Sequence, residues 1–525
     1  MNQQSRIGNL VNSKIYPLLL FLISFVFVVL FSRSTSFLYV FEGADPSIFK
    51  QMGRAILNGK VMYIDYFDNK GCLLYFIHAL GLWLGGDFAL MWMQVVSLTV
   101  TLFIWDKMLA LYRTEKERVI GLCIALVLLL CFYGAGDQTQ EWCLPYISYP
   151  LLVYFRAYKS KTEIRPQQMV FIGLCFGIIT FIQINNACAF LGFIVWMWIE
   201  YLLKKKYKKL FFSVLCIFCG WLVVAFPCVL YFYIVAGIHG IHEMVYAMLL
   251  SNFEYMGNQW KPNWTLVVPY MLFLAALLII QIMVFYKKKD LLIPILLSLF
   301  LFAGTFGKQC NSFYLMAVIP LVVTSMTSIE LTTKSKAIYW PMGMMVFCLT
   351  FYVSSPMLHI ANDLILQKEQ ERDIYWNFHQ CIQIIPEADR DSIYNYNLYW
   401  HGTSMMEHET ILPCNRVLFT ALVFHLPTLW KEETQTPLTP PKWILLSFDK
   451  QYKKDDVYFI MENYELLYSF HYNKRFFKSR QFGDDFGVCL FRRMTNWHPI
   501  EMTAKKQVTR VAAFCMCSAA TPLNT

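Results

Sequence analysis

The sequence predicts a polytopic α-helical membrane protein carrying a small α/β domain outside the bilayer. Three observations lead there. The 525 residues are 57% hydrophobic and only 15% charged, with 44 Phe, whereas soluble domains carry about 25% charged residues. Apolar runs near the roughly 20 residues needed to cross a bilayer recur through the first two-thirds of the chain. The last third is polar, with strand-like runs between turn residues. Mean hydropathy is +0.44. The net charge of +10 does not point to nucleic acid, because the basic residues fall in short clusters between apolar runs, as the positive-inside rule places them.

The first apolar run, Ile15–Ser32, lacks a small-residue cleavage site and reads as a retained anchor. Further spans are predicted at 87–105, 119–133, 142–155, 168–184, 187–203, 210–236, 265–286, 291–306, 312–331 and 337–356, with 73–86 as an extra interfacial or re-entrant helix. At roughly 20 residues per span this makes about 11–13 transmembrane helices. Alternate loops separate by charge. One set holds Lys107, Arg113, Lys116 and Arg118, then KKKYKK at 204–209 and KKK at 287–289; the other includes GAGDQTQE at 134–141, with no Lys or Arg. The basic set is cytoplasmic on this pattern, so loop 41–72 and everything after about 357 face outward. Most of the 16 cysteines sit in apolar runs, where Cys behaves as a small hydrophobe.

Domain boundaries follow. Residues 1–356 form the transmembrane domain. Residues 357–495 form the outward α/β domain, with strands expected at DSIYNYN, KWILLSF, YELLYSF and GVCLFRR and a helix-compatible stretch at 362–380. Residues 496–525 lack periodicity and read as a disordered tail.

The loop after the first span gathers charge: Glu42, Asp45, Asp65 and Asp68 against Lys50, Arg54, Lys60 and Lys70. Asp45-Pro46 reads as a helix start, Asp as N-cap and Pro at the first helical position. Ile48, Phe49, Met52, Ala55 and Ile56 recur at helical spacing, and Asn58-Gly59 supplies the stop. The product is a short amphipathic helix expected along the outer membrane surface. Cations at headgroup depth beside acidic groups make a place to grip a lipid phosphate and perform acid–base chemistry.

The stretch NGKVMYIDYFDNKGCLLYFIHALG, following an acidic residue and an amphipathic helix, resembles the GT-C glycosyltransferases. It is most similar to the bacterial branch related to protein O-mannosyltransferases and the lipid A aminoarabinose transferase. Gly59, Tyr63, Asp65, Asp68, Lys70 and Leu73–Leu74 match that branch's segment, while Cys72 stands where proline is usual. GAGDQTQEWCLPY resembles the second outward loop, with Glu141 at its acidic position. GKQCNSFYLMAVIPLVV at 307–323 resembles a late stretch that often carries His-Tyr, but here reads Phe313-Tyr314. The resemblance covers roughly residues 15–360 in architecture, and its specific motif is confined to 41–81.

What the resemblance implies is an inverting glycosyltransferase of a bacterial inner membrane, with its C-terminal domain extracytoplasmic. It would move a sugar from a polyprenyl-phosphate donor to a glycan, lipid or protein acceptor on the outer face. Asp45 maps to the general base, and Glu141 to a group that orients the acceptor or assists Asp45. Lys70, then Arg54 and Arg33, map to binding of the donor phosphate, with Glu42, Asp65 and Asp68 completing the loop. No organic cofactor is implied; a divalent metal is left open, since some members bind one through such an acidic residue. The alternative is a lipid or glycan transporter or flippase, which needs ionisable groups near mid-membrane and broken helices; a non-enzymatic assembly or sensor protein is the third class.

Other polar groups read as structural. His239, His242 and Glu243 have metal-ligand types without H-E-x-x-H spacing, and His401, Glu407, His408 and Glu409 read as a solvated loop. Gln183, Asn185 and Asn186 read as a helical turn facing an internal cavity.

Overall fold

A computed structural model describes residues 14–32, 34, 44–134, 136–257, 264–305, 311–328, 342, 343, 345, 368–397, 401–418, 441–449, 464–473 and 485–494. Arg33, Glu42, the tail 496–525 and nearly all of the expected span 337–356 lie outside the described residues. The chain forms two compact units: Met1–Tyr39 with Asn69–Asn362, and Val40–Asp68 with Asp363–Thr525. The segment 40–68, expected within the transmembrane domain, thus groups with the C-terminal residues.

The first unit is helical. Its elements are α1 (Tyr16–Phe31), then α3 (Cys72–Leu109), α4 (Glu115–Phe132), α5 (Thr139–Ser160), α6 (Pro166–Gln183), α7 (Cys188–Leu203), α8 (Tyr207–Val245), α9 (Ser251–Gly257), α10 (Trp264–Phe285), α11 (Lys289–Thr305) and α12 (Ile319–Ser328); α2 belongs to the second unit. Among the described residues four stretches are long and apolar enough to cross a membrane: Cys72–Leu109, Pro166–Leu203, Tyr207–Glu254 and Val267–Phe285. Tyr16–Phe31 and Ser312–Thr327 are shorter apolar helices. The difference from the expected number has physical sources. α4 opens on Glu115, Lys116, Glu117 and Arg118, and α5 carries two internal prolines and several polar residues. Pro166–Leu203 holds two expected spans in one stretch of 38 residues, about 57 Å at 1.5 Å per residue, and divides at a 3-10 turn, Ile184–Ala187.

Two further helices are interrupted. α3 leaves helical geometry at Gly85 and Gly86, which separates the expected 73–86 helix from the 87–105 span. α8 breaks at Gly237, with φ at 62°, and a π-helical turn at Tyr246–Leu250 follows. α6 and α8 meet backbone to backbone. A Cβ on Gly173 would stand 2.0 Å from the Ile217 carbonyl oxygen, and one on Gly220 would stand 1.9 Å from that of Val170. Glycines permit this approach, which supplies the dispersion contacts that hold helices together in lipid.

The second unit comprises α2 (Ala44–Leu57), α13 (Lys368–Gln383), β1 (Ile393–Asn397), α14 (His401–His408), β2 (Trp443–Asp449), β3 (Tyr464–Asn473) and β4 (Asp485–Arg493). The sheet order is β1-β2-β4-β3, with β1 parallel to β2 and the other pairs antiparallel. All four expected strands form. Phe378, Cys381 and Ile382 of α13 pack with Ile393, Trp443 and Leu490 of the sheet and Met405 of α14. The apolar stripe of α2 meets α14, and Ile48, Phe49, Met52 and Ala55 are buried. That corrects the expectation of a helix lying on lipid: protein covers the stripe.

Candidate functional site

The charged loop is built mainly inside the second unit. α2 starts at Ala44 and places Asp45, partly buried, in its first turn, not at the cap expected of it. Three polar contacts then recur about once per turn. Ser47 Oγ donates to Ser404 Oγ at 2.8 Å, and Gln51 Nε2 donates to the Ile411 carbonyl at 3.4 Å. Arg54 gives two N–H donors to the two oxygens of Glu407, at 2.5 and 3.4 Å. Glu407 is only 6% exposed, so it is not part of a solvated loop. The Arg54 guanidinium is engaged there, not open to a donor phosphate as the resemblance implied.

Downstream of α2 the chain is stitched to 413–417. The Asp65 carboxylate accepts the Val61 N–H at 2.6 Å, closing its own turn. The Tyr66 hydroxyl donates to the Pro413 carbonyl at 2.6 Å, and burial holds this phenol well above its ordinary pKa. The Phe67 N–H donates to the Arg416 carbonyl at 2.7 Å, and the Arg416 side chain returns a bond to the Tyr63 carbonyl at 2.7 Å. Asp68 is buried, as is Lys50.

Lys70 stands in the helical unit. Its Nζ donates to Asn69 Oδ1 at 2.6 Å, and its N–H donates to the Tyr75 hydroxyl at 3.2 Å. The Gly71 N–H donates to the Ile182 carbonyl at 2.9 Å; a Cβ there would stand 2.2 Å from the Phe181 oxygen, so a glycine is required. Lys70 thus stands beside a recess of about 10 Å³, room for about one water, lined by Asn69, Gly71, Thr180, Gln183, Ile184, Asn185, Met248 and Asn252. Asn252 Nδ2 holds the rim by donating to the Asn69 carbonyl at 3.0 Å. Of the turn expected to face a cavity, Gln183 and Asn185 line this recess, whereas Asn186 is buried outside its lining.

Glu141 is 2% exposed. Its two oxygens accept from the Tyr133 hydroxyl and from the Asp137 N–H, both at 2.7 Å. It braces the 133–138 loop, which departs from the acceptor-orienting role that the resemblance assigned to it. The same loop carries a pair that the sequence pattern did not single out. Asp137, at φ 54°, accepts from Trp142 Nε1 at 2.7 Å and lies 3.0 Å from His78 Nε2. His78 Nδ1 meets the Leu74 carbonyl at 2.8 Å. Both ring nitrogens therefore face oxygen atoms. Both residues are fully buried. The signal was a lone His in the apolar run LLYFIHALG and an acidic loop without a basic residue.

A second buried pair joins Arg118 to Asp106 at 2.6 and 3.0 Å, with the Tyr16 hydroxyl donating to the same carboxylate at 3.2 Å. His239 and His242 are exposed, 3.9 and 3.5 Å from Glu243. Among the described residues no three His, Cys, Asp or Glu side chains group as metal ligands. The site residues thus divide by unit: Asp45, Arg54, Asp65 and Asp68 in the second, Lys70 and Glu141 in the first.

Helices long and apolar enough to cross a membrane, interrupted and joined by buried polar groups, define a helical membrane protein with an attached sheet-containing unit. The chain belongs to the competence-induced Ccs4 N-terminal domain family, which matches residues 8–339. No curated protein matches the chain.

Proposed function

We propose that this protein is a GT-C-like glycosyltransferase of the cell membrane, moving a sugar from a polyprenyl phosphate to an acceptor on the outer face. The observation that carries the reading is the segment from Gly59 to Leu74. It resembles the GT-C pattern at Gly59, Tyr63, Asp65, Asp68, Lys70 and Leu73–Leu74, and within it Lys70 donates to Asn69, which lines the small recess. In the proposed step Asp45 takes the proton of the acceptor hydroxyl while that oxygen attacks the anomeric carbon. The bond from that carbon to the phosphate oxygen breaks, and the configuration inverts. Charge gathers on the leaving phosphate, and Lys70 offsets it. The family description adds a context: the chain is made as cells become competent, which protein abundance before and after competence induction checks.

The test uses purified full-length protein in nanodiscs with a panel of polyprenyl-phosphate sugars and hydroxyl acceptors. Turnover in wild type and none in Asp45→Asn supports the reading. Absence of turnover across the panel sinks it.

One observation favours the transporter or flippase reading. The helices break at Gly85–Gly86, at 184–187 and at Gly237, and ionisable His78 and Asp137 lie buried among them, as in transport proteins. In liposomes, translocation of a fluorescent polyprenyl-phosphate sugar without sugar transfer would select that second reading.

A further inference from the structure

We infer that the C-terminal unit serves sugar transfer by holding α2, and that Glu407 is the positioning residue fixing the helix that bears Asp45; this rests on the glycosyltransferase reading. A helix of 14 residues is marginal by itself in water and takes its stability from tertiary packing. For α2 that packing comes from α14 and the turn after it: an apolar stripe of Ile48, Phe49, Met52 and Ala55, flanked by the Ser47 and Arg54 contacts to α14 and the Gln51 contact to Ile411. The apolar stripe tolerates slip and rotation. The forked Arg54–Glu407 contact does not, because two N–H groups must meet two oxygens in one plane.

The side chains of Arg54 and Glu407 are 24% and 7% exposed, so salt screens the pair less than a surface one. Asp45 lies nine residues earlier on the same rigid helix, about 13 Å along its axis. Rotation or slip set at Arg54 is therefore set at Asp45 as well. A misplacement of about 1 Å costs on the order of 10²-fold in rate, so an ion pair remote from the chemistry can govern turnover. The C-terminal unit then forms the seat of the helix with the proposed base, in addition to any hold on the acceptor.

The test compares full-length wild type, Glu407→Gln, Arg54→Glu and the double exchange Arg54→Glu with Glu407→Arg, all in nanodiscs. The probes are decaprenyl-phosphate-linked mannose and arabinose. Two readouts are taken: kcat and donor KM for transfer, and hydrogen exchange of backbone amides 44–57. Glu407→Gln is expected to lower kcat by about 10–10²-fold, with donor KM within about twofold and faster exchange in α2. The double exchange is expected to recover a substantial part of both. A purely structural pair would lower the folded fraction and leave kcat per folded molecule unchanged. Unchanged exchange shows that Glu407 does not hold α2, and raised exchange with unchanged kcat shows that the hold does not govern transfer; either result overturns the inference. Wild type without turnover on any probe overturns the enzymatic reading and the inference with it, and the exchange data then show separately whether Glu407 seats α2.

Discussion

Asp45 and Lys70 carry different parts of the proposed step, and substitution separates them. Asp45→Asn keeps the size of the side chain and an acceptor oxygen in the first turn of α2, so the helix is expected to form as before. What goes is proton acceptance, worth about 10²–10⁴-fold in rate; near wild-type transfer by this variant would move the base elsewhere. Lys70→Met removes one charge-assisted contact, about 1.5–3 kcal/mol, and is expected to weaken binding of a polyprenyl-phosphate donor while thermal unfolding changes little. Unchanged donor affinity would remove Lys70 from the phosphate site. His78 and Asp137 predict a stability effect instead. Leaving Asp137 buried without its ring partner in His78→Leu is expected to cost about 3–5 kcal/mol, read as a lowered unfolding temperature in detergent. An unshifted transition would mean that the pair contributes no net stability.

At the scale of elements, the glycine contacts between α6 and α8 give the sharpest expectation. Gly220→Val puts side-chain atoms where the Val170 carbonyl oxygen already stands, so α6 and α8 must separate. The expected result is a drop in monodisperse protein after detergent extraction, with overpacking of this kind costing about 1–3 kcal/mol or more; wild-type yield and melting would refute it. The elements themselves were largely legible beforehand. Apolar runs marked the helices, the division between 73–86 and 87–105 falls where the helix breaks at Gly85–Gly86, and strand-like runs marked all four strands. The partner of α2 was not legible. An apolar stripe reads the same whether lipid or protein covers it, and the α14 residues that hold α2, Ser404 and Glu407, lie about 350 residues away from it in sequence. For the same reason Glu407 read as solvated and Arg54 as available. Buried His78–Asp137 escaped because each partner alone is an ordinary residue, and only the fold brings a residue of α3 against the 133–138 loop.

For the whole molecule, charge asymmetry between loops predicts that 41–72 and the C-terminal unit share the non-cytoplasmic side. Cys414 is exposed and gives a native reporter. With the other cysteines replaced, an impermeant maleimide is expected to label Cys414 in intact cells; labelling only after the cells are broken would reverse the topology. On the same charge pattern the exposed Lys204, Lys206 and Lys209 are expected to face the opposite side.

The grouping of 40–68 with 363–525 has a consequence for biosynthesis. α2 is complete at Leu57, but the helix that seats it begins at His401, about 340 residues later. At roughly 5–20 residues per second, the ribosome takes on the order of 17–70 s to supply that seat. Throughout this interval Ile48, Phe49 and Met52 have no α14 to cover them. Docking of α2 onto α14 is therefore a late event of synthesis, and the apolar stripe of α2 is expected to need another apolar cover until the C-terminal residues arrive.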